Sequence, residues 1–339
     1  MREISNEKML EQLILGTTPD GFISELLRRI LEGSMNSYQI AASLVLLRAK
    51  GESGQDLAEA AELILSKALV YQQPNYIFGD IVGTGGDGHD TINISTLASL
   101  VAASAGMPVA KHGNVSVSSK CGSADVLREL GLNITIDGIN ARQSLDELKW
   151  CFLFAPTYHP SFKSISEVRS LLKIKTMFNI LGPLVNPWRP QIIIMGVYDA
   201  RFIKPCVEAL KKMGLSKALV VHGSGLDEIA LHGETTCALL SDNKISDFNL
   251  NPADLGLLSY SLEEIRGADP SHNAQEFQSL LAGQGSPAKL AMISASAGAL
   301  LWLGDFAPTL KDAVELAHDA LLKAKPQALF KKILELNHA

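Results

Sequence analysis

The sequence predicts an α/β fold, with a mostly parallel central sheet flanked by helices and a small all-α N-terminal domain. Three observations predict it. From about residue 78, short apolar runs alternate with helical runs, the pattern of a parallel sheet covered on both faces. Three of those runs open into polar, glycine-bearing loops that begin at Gly83, Lys111 and Gly223. The first seventy residues, by contrast, carry only helical spacing. The chain has 339 residues, 47% of them hydrophobic, enough for a large buried core and for two domains.

Taken in order, Phe22, Ile23, Leu26, Leu27 and Ile30 recur at helical spacing, and Gly33 ends the run. Ile40, Leu44 and Leu47 make a second stripe closed by Gly51. Leu57, Ala61, Ile64, Leu65 and Ala68 make a third. Nothing in these stripes resembles a site; they suit a small bundle or a subunit interface. Phe78 to Val82 reads as a strand, followed by a glycine loop and a helix over 96–105. Val109-Ala110 leads into the second loop. Residues 123–130 read as a helix ended by Gly131, Ile134 to Ile136 as a strand, 140–149 as a helix and Cys151 to Phe154 as a strand.

Pro156, Pro160, Gly182, Pro183, Pro187 and Pro190 then break the rhythm, around one helical piece at 164–173. A crossover returning to the helical part has this composition, and so does a hinge. Ile192 to Val197 is strongly β, 200–213 helical, and Leu219 to Val221 a strand. Asp242-Asn243 between two apolar segments predicts a hairpin over 237–249. The tail from about 286 reads as helices.

Bulk properties exclude several classes. A net charge of −6 argues against a protein that coats nucleic acid. Cys121, Cys151, Cys206 and Cys237 have no metal-site or disulfide spacing, which fits a reducing cytoplasm. Arg2, Glu3, Glu7, Lys8 and Glu11 do not make a signal peptide. The uncharged run 91–110 holds Asn93, Gly106 and Pro108, so it reads as a buried helix and strand rather than a membrane span.

Chemistry concentrates in four places. Four glycines fall within residues 83–88, ahead of Thr91, Asn93, Ile94, Ser95 and Thr96. Such a loop exposes backbone N–H groups, and a helix N-terminus behind it favours an anion, most often phosphate. The spacing is neither a P-loop nor a dinucleotide fingerprint, and a plain chain reversal is the competing reading. Lys111, His112, Gly113, Asn114, Val115, Ser116, Val117, Ser118, Ser119 and Lys120 form a second array dense in donors, or a polar surface loop. Asp227-Glu228 in a glycine-framed loop suits Mg²⁺, with Ser95 as a possible hydroxyl ligand; two solvated acids and a helix cap are the bland readings. Arg169 is a candidate fork for a carboxylate, or a solvated helix arginine, and His159 is a second ligand candidate or a packed loop histidine.

In this order, the segments GTGGDG with NIST, KHGN with SVSSK and GSAD, FAPTYHP, VRSLLKIKTMFNILGPL and GSGLDE resemble the anthranilate phosphoribosyltransferase family, among the nucleoside-phosphorylase-like phosphoribosyltransferases. The resemblance implies a helical domain over 1–72, joined through hinges with part of 160–185, and an α/β domain over 73–339. It implies a cytoplasmic homodimer formed through the helical parts. It implies transfer of the phosphoribosyl group of 5-phosphoribosyl diphosphate (PRPP) to the amino group of anthranilate, for tryptophan biosynthesis, with no nucleic acid or membrane partner.

By the same resemblance, Gly83, Gly86, Asp87, Thr91 and Asn93 to Thr96 hold PRPP, with Lys111 to Ser119 and Ser123. Ser95, Asp227 and Glu228 bind Mg²⁺. Gly83, His112, Asn114, His159, Arg169 and Gly182 line the anthranilate channel, with Arg169, Asn114 and Lys111 positioning the substrates. The sequence departs from the family at Val115, where Arg is usual, and at Cys121, Ser164 and Glu167. A pyrimidine nucleoside phosphorylase and a nucleic-acid binder of related fold remain as alternatives. The Asp-Glu pair and the Asn93-to-Thr96 run favour the transferase.

Overall fold

In the computed structural model, which describes residues 4–69, 71, 73–116 and 120–338, the apolar runs form seven strands. These are β1 (Gly79–Gly83), β2 (Val109–Gly113), β3 (Trp150–Phe154), β4 (Ile192–Gly196), β5 (Lys217–Gly223), β6 (Thr235–Ser241) and β7 (Lys244–Leu250). They make one sheet in the order β3-β2-β1-β4-β5-β6-β7. β1 to β5 run parallel, and β6 and β7 add an antiparallel edge. The turn between β6 and β7 is Asp242-Asn243, with φ of 50° and 57°, as a two-residue type I′ hairpin requires. β1 pairs with both β2 and β4, so the strand order reverses there. In open α/β sheets, the crevice beyond the C-terminal strand ends at such a switch point is the ligand site.

Helices α1 (Asn6–Leu15), α2 (Phe22–Leu31), α3 (Ser37–Lys50) and α4 (Gly54–Ser66) precede the sheet. Their ends are locally encoded. Ser5 caps α1 by accepting from the Lys8 N–H, and Gly16 closes it in the left-handed conformation. Asn36 with Gln39, and Ser53 with Asp56, form reciprocal caps on α3 and α4. Helices α5 (Ile94–Ser104), α6 (Ser123–Glu129) and α7 (Gly138–Leu148) connect β1, β2 and β3. The proline-rich interruption holds α8 (Ala155–Tyr158), α9 (Lys163–Leu172) and α10 (Phe178–Leu181). Then come α11 (Ile203–Lys212), α12 (Pro270–Leu281), α13 (Pro287–Leu303), α14 (Leu310–Leu322) and α15 (Lys325–His338).

The two-residue period of the strands splits the core. Ile192, Ile194, Leu219 and Val221 face α5, α13 and α14 on one side of the sheet. Ile193, Met195, Ala218 and Val220 face α11 on the other, in a cluster that also takes Leu26, Leu44 and Leu57 of the N-terminal helices. Within the interruption, α9 rests on α2 and α3.

Several sequence expectations need correction. Ile134 to Ile136 form no strand: the Asn133 side chain accepts from the Thr135 N–H and hydroxyl, and the segment turns. Lys111 and His112 belong to β2, not to the loop after it. The structure adds α1 and α12 to the individual helical stretches the sequence marks out. Val117, Ser118 and Ser119 lie outside the described residues. Among the described residues, no helix is long and apolar enough to cross a membrane; the uncharged run at 91–110 divides into α5 and the start of β2.

Candidate active site

The first and third loops meet because glycine ends two neighbouring strands. Gly83 of β1 and Gly196 of β4 are register partners. Asp227, from the loop after β5, lies across both. A Cβ on Gly83 would come within 2.2 Å of Asp227 Oδ2, and one on Gly196 within 1.6 Å of its carbonyl oxygen. Only hydrogen at these positions lets the β5 loop cross the strand ends. The Gly85 N–H then donates to Asp227 Oδ2 at 2.6 Å. The resulting cleft is walled by all three loops, and the α9–α10 segment forms part of its rim.

On the first loop, Gly83, Gly86, Asp87 and Thr91 line the cleft, followed by Asn93, Ile94, Ser95 and Thr96 at the start of α5. Asn93 occupies the N-cap position without capping. Its Nδ2 donates to the Cys121 carbonyl at 3.2 Å, and its Oδ1 accepts from Asn273 Nδ2 at 3.4 Å. The Ile94 N–H donates to the Ile92 carbonyl at 2.7 Å, but the Ser95 and Thr96 N–H groups have no side-chain acceptor among the described residues, which is the chemistry of an anion site. Thr96 Oγ1 in the same turn is buried without a hydrogen-bond partner among the described residues.

The second wall is built on a buried charge network. Lys111 Nζ donates to the Ile81 carbonyl at 2.8 Å and to the His112 carbonyl at 3.4 Å. The fully buried Asp80 accepts from the His112 N–H at 3.3 Å and from Asn186 Nδ2 at 2.8 Å. Burial pushes the Asp80 carboxyl up and the Lys111 ammonium down, and each charge opposes the other's shift. The Lys111 ammonium therefore serves the floor of the site as a counter-charge, flanked by Asp80 and Glu228. Gly113, Asn114, Val115, Ser116 and Ser123 line the wall above it. Asp125 holds this loop by accepting from the Ser116 and Gly122 N–H groups, both at 2.9 Å.

Asp227 and Glu228 complete the cleft. Asp227 is pushed up to about 7, first by burial and then by the nearby Asp87 carboxylate. Glu228 is pushed up to about 8, first by burial and then by Asp227, although Lys111 pulls it down. Glu228 Oε2 accepts from Ser296 Oγ at 3.4 Å. Crowded carboxylates in a poorly solvated setting bind a cation readily. Among the described residues, no three His, Cys, Asp or Glu side chains form a ready-made metal cage. The donor set fits Mg²⁺, which keeps waters and takes phosphate oxygens to complete its shell.

On the opposite rim, Arg169 of α9 stacks over the Phe178 ring, 5.5 Å from its centroid. Its guanidinium has no carboxylate partner among the described residues, and burial alone pulls it below its ordinary value. Gly182, Asn179 and Ala155 line the cleft beside it. His112 also lines the cleft; its buried Nε2 has no hydrogen-bond partner among the described residues, and the Gly182 backbone lies beside the ring. Burial holds this ring well below the usual histidine range, hence neutral. His159 is not a lining residue. It sits behind His112, with ring centroids 5.6 Å apart, and its Nε2–H donates to the Val185 carbonyl at 2.8 Å. Asp80, Asn186, Asn179 and Asn273 carry no sequence signal as single polar residues; only the fold brings them to the site.

The chain is similar to known proteins along most of its length. A family model described as the glycosyl transferase family a/b domain matches residues 75–325, and the corresponding helical bundle domain matches 22–68. An anthranilate phosphoribosyltransferase of Psychromonas ingrahamii is 43% identical over 336 residues, covering 99% of each chain. The solved anthranilate phosphoribosyltransferase of Thermus thermophilus superposes with a TM-score of 0.92 at 34% identity, over 98% of this chain and 99% of that one. The Saccharomyces cerevisiae enzyme in complex with PRPP and Mg shares the fold, with a TM-score of 0.89 at 24% identity over 98% of each chain. The chain belongs to the anthranilate phosphoribosyltransferase family of glycosyl transferases.

Proposed function

We propose that this protein transfers the phosphoribosyl group of PRPP to the amino group of anthranilate, giving N-(5-phosphoribosyl)anthranilate and diphosphate in tryptophan biosynthesis. One observation supports it above the rest. A single cleft joins an uncapped helix N-terminus, a carboxylate pair that fits Mg²⁺ and a guanidinium with no acidic partner among the described residues.

The donor contacts fall to Gly83, Gly86, Asp87, Thr91, Asn93 to Thr96, Asn114 and Ser123, and the acceptor contacts to Arg169, His112, Asn114 and Gly182. Asp227, Glu228 and Ser95 would hold Mg²⁺, which when bound offsets charge on the diphosphate oxygens. Breaking the bond from the anomeric carbon to diphosphate puts negative charge on the leaving group and positive charge on the ribose ring. The N–H groups of the glycine loop and of the α5 first turn stabilise the anionic groups of the donor. Arg169 orients the acceptor by its carboxylate, and the neutral imidazole of His112 faces the aromatic ring without adding charge. An aromatic amine is uncharged at neutral pH, so its nitrogen attacks without a strong base and sheds its proton afterwards. Positioning and charge stabilisation therefore carry the rate.

The family organisation extends the proposal. Residues 1–72 with part of 160–185 act as a helical domain that closes on the α/β domain over 73–339 about the hinges of the interruption, excluding water from the activated ribose. A homodimer through the helical part would cover Ile14, Leu15, Tyr38 and Val45, which are exposed on α1 and α3. A cytoplasmic location fits four reduced, buried cysteines. The activity is tested by following anthranilate fluorescence over time. Loss of signal that requires both PRPP and Mg²⁺ is expected, and an unchanged signal would count against the assignment.

A further inference from the structure

The crossover and the glycine loop meet at a contact used by none of these roles. Lys175, between α9 and α10, donates from Nζ to the Gly86 carbonyl. The same ammonium lies 3.7 Å from the centroid of the Tyr198 ring. Tyr198 donates its backbone N–H to Thr84 Oγ1 at 3.0 Å, and the Thr84 N–H donates to the Gly196 carbonyl at 3.0 Å. Residues 84–86 are therefore held from two sides, by the chain leaving β4 and by the crossover.

This restraint acts on a backbone that has little of its own. Gly85, Gly86 and Gly88 all have positive φ, where glycine moves freely. No peptide bond among the described residues is cis, so the Gly86 carbonyl and the Asp87 N–H point in opposite directions. Pinning that carbonyl on Lys175 fixes the direction in which the Asp87 N–H is offered.

We propose that Lys175, seated on Tyr198, is a positioning residue for the phosphoribosyl donor, setting the Gly86–Asp87 peptide and tying the donor loop to the crossover that carries Arg169. This rests on the reading of the glycine loop as the PRPP loop. Lys175 is exposed, so replacing it leaves the core intact.

Steady-state kinetics and thermal melts of Lys175→Met and Lys175→Arg test the proposal. Lys175→Met should raise KM for PRPP about fivefold to tenfold, with KM for anthranilate within about twofold and an unchanged melting temperature. Lys175→Arg should restore most of the loss. A KM for PRPP within about twofold of wild type in Lys175→Met, a matching rise in both KM values, or no rescue by arginine would each overturn it. A wild-type protein that does not consume anthranilate with PRPP would instead remove the functional reading, and is seen before any variant is compared.

Discussion

Asp227→Asn combined with Glu228→Gln is expected to lower Mg²⁺-dependent turnover by about a thousandfold or more, without loss of the fold. The amides keep the shape of the loop, including the acceptor for the Gly85 N–H, but remove the charge that a cation needs. The same substitution has a signed effect on stability. Burial and mutual repulsion raise Asp227 to about 7 and Glu228 to about 8. Both folded-state values lie above those of an unfolded chain, at about 4, so the folded protein binds more protons. Stability from this pair is full below about pH 4 and is lost as pH rises through the folded values of 7 to 8. Without divalent cation, wild type should therefore melt progressively lower than the double variant between about pH 5 and about pH 8, and Mg²⁺ should close the gap. Melts at both pH values, beside the fluorescence assay, check the two halves. Near-normal turnover would remove the metal assignment.

Arg169→Ala is expected to raise KM for anthranilate by about tenfold to a hundredfold, with a small effect on PRPP. The guanidinium stands in the cleft over Phe178, already partly desolvated and without an acidic partner among the described residues, so an incoming carboxylate gains a charge-assisted bond at reduced further cost. Arg169→Lys should recover only part of the loss, because an ammonium lacks the planar fork and stacks poorly on the ring. Since no carboxylate is stranded by the change, the melting temperature should hold or rise. Separate KM values for the two substrates decide it, and an effect confined to PRPP would contradict the acceptor role.

The strand-end loops were legible because glycine clusters and adjacent acids leave local signatures. Their convergence was readable from alternation alone, since successive parallel strands open on one edge. The hairpin at Asp242-Asn243 was equally plain, because few residues accept positive φ in pairs. What escaped was set by burial. Lys111 and His112 looked like loop donors, but β2 extends through Gly113, and the strand draws Lys111 down onto the Ile81 carbonyl. His159 follows a similar course, one layer behind His112. Ile134 to Ile136 alternate like a strand, yet Asn133 closes a turn over them. Lys175 and Asn273 reach the site from segments distant in sequence, across contacts that no local pattern encodes.

A crystal structure of the protein with PRPP and Mg²⁺ tests the central claim most directly, that three strand-end loops grip one donor. The account predicts phosphate groups against the amides of Ser95, Thr96 and the glycine loop, with the metal-bound diphosphate reached by Asp227 and Glu228. Donor bound outside this cleft, or touching only one of the three loops, would contradict it.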